Sequence, residues 1–145
     1  MAMGEWHGVT TNNAEGRVIG LELDENDLAG IITPQLGGLD ALERLSLRSN
    51  RLEGGIPKEL GKLQALRKLD LFLNPSLGGV IPPELGDLNA LEELHLRRNG
   101  LKGGMPPELG KLYALKTLQL SYNNLDGAIP PELGELNALE ELQLS

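Results

Sequence analysis

The chain has no cysteine. No disulfide can staple it, and no thiolate is available as a nucleophile or metal ligand. Aromatic residues are almost as scarce: one Trp, one Phe and two Tyr, so any core must be aliphatic. Positive charge is in deficit. Thirteen Lys and Arg stand against 21 Asp and Glu, for a net charge of -8 and a pI near 4.7. Neutralising a phosphate backbone needs a basic surface, so bulk nucleic-acid binding is disfavoured and no nucleic-acid partner is expected. No apolar run approaches the ~18 residues of a membrane-spanning helix, and no membrane association is expected. The first residues lack the charged stretch and apolar run of a leader peptide, so none is expected. The N-x-S/T match at Asn74-Pro75-Ser76 is blocked by its proline. The two histidines, His7 and His95, lie too far apart to share a metal, and no cofactor is expected.

What the chain has is leucine, repeated. One frame begins at Val18, Leu42, Leu66, Leu91, Leu115 and Leu139, at steps of 24 residues with a single step of 25. Self-similarity at such a period means that each unit is one structural piece unable to bury its apolar face alone. Stacked units bury a shared core and expose long continuous faces. Within a unit the pattern is L-x-x-L-x-L-x-x-N-x-L-x-G-x-I-P-x-x-L-G-x-L-x-A. Leu69 and Leu71 alternate with Lys68, Asp70 and Phe72, which predicts a short half-buried strand with the leucines inward. Successive strands run parallel, because each unit returns to its start in the same sense.

The remaining positions have framework roles. Asn26, Asn50, Asn74, Asn99 and Asn123 form a column that predicts a ladder of side-chain to backbone bonds. Ile32, Ile56, Ile81, Met105 and Ile129 are expected to fill a second apolar layer. Pro57, Pro82, Pro106 and Pro130 lead into Pro-Glu-Leu-Gly-like segments that predict short helical turns, with Leu36, Leu60, Leu85, Leu109 and Leu133 inward. The extra residue near Asn74-Pro75-Ser76-Leu77 predicts a bulge.

The unit is identified as a leucine-rich repeat. Its second half, for example Leu52-Glu53-Gly54-Gly55-Ile56-Pro57-Lys58-Glu59-Leu60-Gly61, resembles the plant-type class. The resemblance covers residues 18–145: five repeats and a truncated sixth in a single domain, preceded by a partial cap over residues 1–17. It implies an α/β repeat solenoid, curved, with a parallel sheet on the concave face and short helical turns or loops on the convex face. The start Trp6-His7-Gly8-Val9 resembles the cap of plant-type relatives, with Thr11 at a cysteine position and Trp6 as a lid on the first leucine layer. Secreted relatives usually carry a cysteine pair there, so its absence points to an intracellular, cytoplasmic protein. Cysteine-free blocks of this kind resemble the repeat regions of ROCO-type signalling proteins.

Several chemical patterns dissolve on inspection. Gly55 to Lys62 and Gly104 to Lys111 mimic phosphate loops but have the wrong spacing, and a leucine follows each lysine where Ser or Thr should meet magnesium. Ser46, Asp70 and His95 share one outward column, but the acid lies between the other two, so no hydrolytic relay is expected and the chain is not expected to be an enzyme. Glu22, Asp24 and Glu25 read as a solvated acidic end rather than a cation site.

Function must then lie in the outward strand positions, which vary between units while the leucines do not. One column reads Glu22, Ser46, Asp70, His95, Gln119, Gln143. The next reads Asp24, Arg48, Phe72, Arg97, Ser121, Ser145, and beside it run Glu25, Ser49, Leu73, Arg98 and Tyr122. Phe72 and Leu73 are expected to be exposed together, flanked by arginines. Aromatic and arginine residues are the usual anchors of interfaces. The expected partner site is Arg48, Phe72, Leu73, His95, Arg97, Arg98 and Tyr122. The expected partner is a protein or peptide with acidic and apolar groups. This casts the chain as the recognition part of a larger signalling or immunity-like protein. A receptor-like domain for a small molecule or glycan, and an excised or engineered repeat block without independent function, remain open readings. An uncapped final strand around Glu141–Gln143 further predicts homodimers through that edge.

Overall fold

The computed structural model describes residues 7–12 and 14–145. The expected Trp6 lid lies outside them. Twelve strands occur among these residues: β1 (Val9–Thr11), β2 (Val18–Glu22), β3 (Ala29–Ile31), β4 (Arg44–Ser46), β5 (Arg51–Gly55), β6 (Lys68–Asp70), β7 (Leu77–Gly78), β8 (Glu93–His95), β9 (Lys102–Gly104), β10 (Thr117–Gln119), β11 (Asn124–Asp126) and β12 (Glu141–Gln143). The principal sheet has the order β1-β2-β4-β6-β8-β10-β12. All its pairings are parallel except β1 with β2, which is antiparallel and covers the first edge.

Register follows the repeat. Leu45, Leu69, Leu94 and Leu118 stand on consecutive strands as paired positions, and all four are fully buried. Leu60, Leu85, Leu109 and Leu133 come in from the opposite side, on single 3-10 turns at Lys58–Lys62, Pro83–Asp87, Pro107–Lys111 and Pro131–Glu135. Each turn opens after an extended proline. The first unit starts instead at Thr33, whose hydroxyl accepts from the amide of Gln35. The glycine of each turn that has a unit stacked after it answers to that close approach: a Cβ on Gly61 would lie 2.3 Å from the Glu84 carbonyl oxygen.

The asparagine column is a ladder, as its spacing predicts. Asn50 Oδ1 accepts from the amides of Asn26 and Leu28, and its Nδ2 donates to the carbonyls of Leu23 and Leu47. Asn74 accepts from the Leu52 amide and donates to Leu47 and Leu71. Asn99 donates to Leu71 and Leu96, and Asn123 to Leu96 and Leu120. Each side chain therefore ties two adjacent units, satisfying buried backbone groups that no strand reaches.

The second side of the solenoid carries a smaller parallel sheet, β3-β5-β7, and a separate pair, β9 with β11. The break falls beside the 25-residue step, where β7 is only two residues long and Asn74 makes an isolated bridge to Asn99. One expectation fails here: Ile129 is not in the second layer but 59% exposed. Its counterparts Ile32, Ile56 and Ile81 are buried because a full unit follows each of them.

Candidate functional site

The outward residues beyond the main strands converge on a single patch. Arg48, Phe72 and Arg97 each lie two residues past the last strand residue of β4, β6 and β8. Adjacent parallel strands are about 4.8 Å apart, so these side chains stack across units. The Arg48 guanidinium lies 5.4 Å from the centre of the Phe72 ring, and that of Arg97 lies 5.9 Å from it. Arg97 also sits 4.9 Å from the Tyr122 ring, as does Arg98. The result is a continuous alternation of cation and ring, Arg48–Phe72–Arg97–Tyr122–Arg98.

Charge pairing sets these arginines apart. Arg17, Arg44, Arg51 and Arg67 each meet a carboxylate: Asp40, Glu22, Asp27 and Glu92 respectively. Arg48, Arg97 and Arg98 form no ion pair among the described residues. The Nε of Arg97 is buried with no hydrogen-bond partner. An acidic protein thus keeps three cations on one patch without neutralising them. A shallow cavity of about 380 Å3 lies here, lined by Arg48, Lys68, Asp70, Phe72, His95, Arg97 and Gln119.

The floor beneath is a buried polar seam. Asp70 is only 4% exposed and Ser46 6%, so neither points freely outward as the column reading expected. The hydroxyl of Ser46 donates to Asp24 at 2.6 Å, and the Arg48 amide donates to the same oxygen at 3.0 Å. Asp70 accepts from the Phe72 amide at 3.1 Å and lies 3.4 Å from His95 Nδ1. His95 Nε2 lies 3.8 Å from Glu93, so the imidazole sits between two carboxylates. Burial opposes ionisation of Asp70. The hydrogen bonds to His95 and the Phe72 amide, with the charges of His95 and Lys68, outweigh it and hold the carboxyl below its ordinary range.

Of the seven expected site residues, the structure brings Arg48, Phe72, His95 and Arg97 to the cavity and places Arg98 and Tyr122 on its rim through the stacking contacts. Leu73 stands apart. It is half-buried, and its backbone is left-handed, φ 60°, a conformation shared by Ser49, Arg98 and Tyr122 at the same turn position. Phe72 is also half-buried rather than exposed, because the two arginines lie over its ring. Lys68 was not among the expected site residues. Strand alternation signals it, since Lys68 lies two positions from Asp70 and shares its face.

The comparisons agree with this architecture. The chain matches the family described as Leucine rich repeat over residues 89–145, and again over residues 41–63. No curated protein matches it by sequence. Among solved structures it is similar to the LRR ectodomain of the plant membrane receptor kinase GASSHO1/SCHENGEN3 from Arabidopsis thaliana, in complex with CASPARIAN STRIP INTEGRITY FACTOR 2. The TM-score is 0.97 at 40% identity, over 100% of this chain and 17% of that one. It is also similar to the BIR2 ectodomain from Arabidopsis thaliana, TM-score 0.83 at 36% identity, over 98% of this chain and 77% of that one. A third is the plant peptide hormone receptor RGFR1 in complex with RGF2, TM-score 0.82 at 33% identity, over 83% of this chain and 19% of that one. The chain thus spans about a fifth or less of two of these proteins' chains and most of the third.

These neighbours overturn the intracellular expectation. They are ectodomains of membrane receptors, which points to an extracellular setting. The error came from treating the missing cysteine pair as a sign of compartment. A disulfide adds stability to such a cap, but the aliphatic core and asparagine ladder do not require one. The ROCO-type resemblance finds no counterpart among these neighbours. By repeat spacing, by the parallel sheet with its 3-10 turns and by these similarities, the chain belongs to the leucine-rich repeat family.

Proposed function

We infer that this chain is a ligand-binding segment of an extracellular plant-type receptor, and that it takes a protein or peptide partner on its concave face at the Arg48–Phe72–Arg97–Tyr122–Arg98 stack. The observation that carries this reading is the trio of arginines stacked on rings without a carboxylate partner among the described residues. Such groups are pre-ordered and left with unmet charge, which favours a partner presenting acidic and apolar groups. Two similar structures are receptors in complex with ligands, one of them named as a peptide hormone receptor. In this reading residues 1–17 act as a partial cap and residues 18–145 as the repeat body of one domain. The homodimer expected at β12 has no place in it. β12 is only three residues long, and the exposed Glu140 and Glu141 put charge at that edge, which opposes pairing with another strand.

The test is selection of a displayed random peptide library on the protein, with counter-binding to a Phe72→Ala/Arg97→Ala variant. Enriched peptides should be rich in Asp, Glu and apolar residues and should lose at least tenfold affinity on the variant. Enriched peptides that bind parent and variant alike would overturn the concave-patch assignment.

A further inference from the structure

The concave groove is not uniform along its length. The cavity over Phe72 adjoins a second of about 190 Å3, which Asp24, Glu22 and Arg44 line and which shares Arg48, Lys68 and Asp70 with the first. The groove therefore runs without a break from β2 across β4 and β6 to β8. Its two ends differ in sign. At the β2 end, Arg44 neutralises Glu22 and Arg51 neutralises Asp27, but Asp24 has no cation paired with it among the described residues. Asp24 is fixed in place, because one of its oxygens accepts from Ser46 and the Arg48 amide. At the other end stand Phe72 and Arg97, the latter with a buried Nε that has no partner.

We propose that this groove measures spacing, on the same concave-face reading of function. It takes an extended partner segment whose basic residue sits over Asp24 and whose apolar and acidic residues sit over Phe72 and Arg97. The geometry sets the interval. From the β2 unit to the β6 unit is two strand steps, about 10 Å, and to the β8 unit three steps, about 14 Å. A segment in the polyproline II form advances about 3.1 Å per residue with three residues per turn, so residues three apart face the same side. The apolar residue then falls three positions from the basic one and the acidic residue four, as in Arg-x-x-Phe-Glu. A protein of net charge -8 gains specificity from this arrangement, since a uniformly acidic partner meets Asp24 and a uniformly basic one meets the arginines.

Synthetic peptides of one composition test it. Each holds Arg and a Phe-Glu pair in a Gly/Ser background, with Phe one, three or six positions from Arg, and each is made in both chain directions. NMR titration gives the affinities. In the tighter direction, the three-position peptide should bind at least fivefold more tightly than the others. Asp24→Asn keeps an acceptor for Ser46 and the Arg48 amide but removes the charge, and should abolish that preference while Phe-Glu binding persists. Equal affinity across the spacings overturns the spacing rule and leaves the concave patch standing. A preference that survives Asp24→Asn also overturns it. Failure of every peptide to bind overturns both.

Discussion

Two columns three residues apart divide this molecule. Leu45, Leu69, Leu94 and Leu118 occupy one, are fully buried, and are the same residue in every unit. Arg48, Phe72, Arg97 and Ser121 occupy the other and change from unit to unit. The first column lies on the parallel strands and the second two residues past their ends, each at the same place in every unit. The first column meets identical neighbours above and below, and any other side chain leaves a void or a clash. The second ranges from exposed Arg48 through half-buried Phe72 and Arg97 to buried Ser121, and nothing in folding requires its arginines. A repeat protein thus separates the work of standing up from the work of recognition by position within each unit.

Substitutions can break or sharpen that contrast. Leu69→Ala lies in a middle unit and should cost about 2–5 kcal/mol, read from urea melts, because its cavity is walled by neighbours on both sides. Asn74→Ala should come next, at about 2–3 kcal/mol. It leaves the buried amide of Leu52 without its acceptor and takes one of two asparagine donors from each of the Leu47 and Leu71 carbonyls. Asp70 supplies a smaller, pH-dependent increment. Its folded carboxyl titrates below the unfolded one, so its contribution is complete above the unfolded pKa, about pH 4, and is lost as pH falls through the folded value. Asp70→Asn should flatten the acid limb of a stability–pH profile and leave the neutral limb parallel to the parent. Leu142→Ala should cost least, under about 1 kcal/mol. That side chain is 44% exposed and has a unit on one side only. A loss at Leu142 equal to that at Leu69 would mean that a further layer covers β12.

The framework was legible from the sequence because each of its roles repeats. The leucine period, the asparagine ladder and the proline-led turns each appear four to six times, and every repetition is an independent statement of the same geometry. Ile129 misled because its environment depends on the unit that follows, not on its own motif. The site was half legible. The outward columns singled out Arg48, Phe72, His95 and Arg97, which line one cavity, since variable outward positions stand out against invariant inward ones. It could not show that Arg44 and Arg67 are neutralised across units while Arg48 and Arg97 are not. That depends on which carboxylates the register brings alongside. Nor could it show that Asp70 and Ser46 sink beneath the long side chains around them. Leu73, chosen on hydrophobicity, does not line the cavity over Phe72.

The central claim is that recognition and framework are separable, and Phe72 tests it most directly. Stability and peptide affinity should be measured together on Phe72→Ala, using a peptide selected on the parent. The account predicts a urea midpoint close to the parent, within about 1 kcal/mol, with a binding loss of about 2 kcal/mol or more. A stability loss matching that of Leu69→Ala, or unchanged peptide affinity, would contradict it.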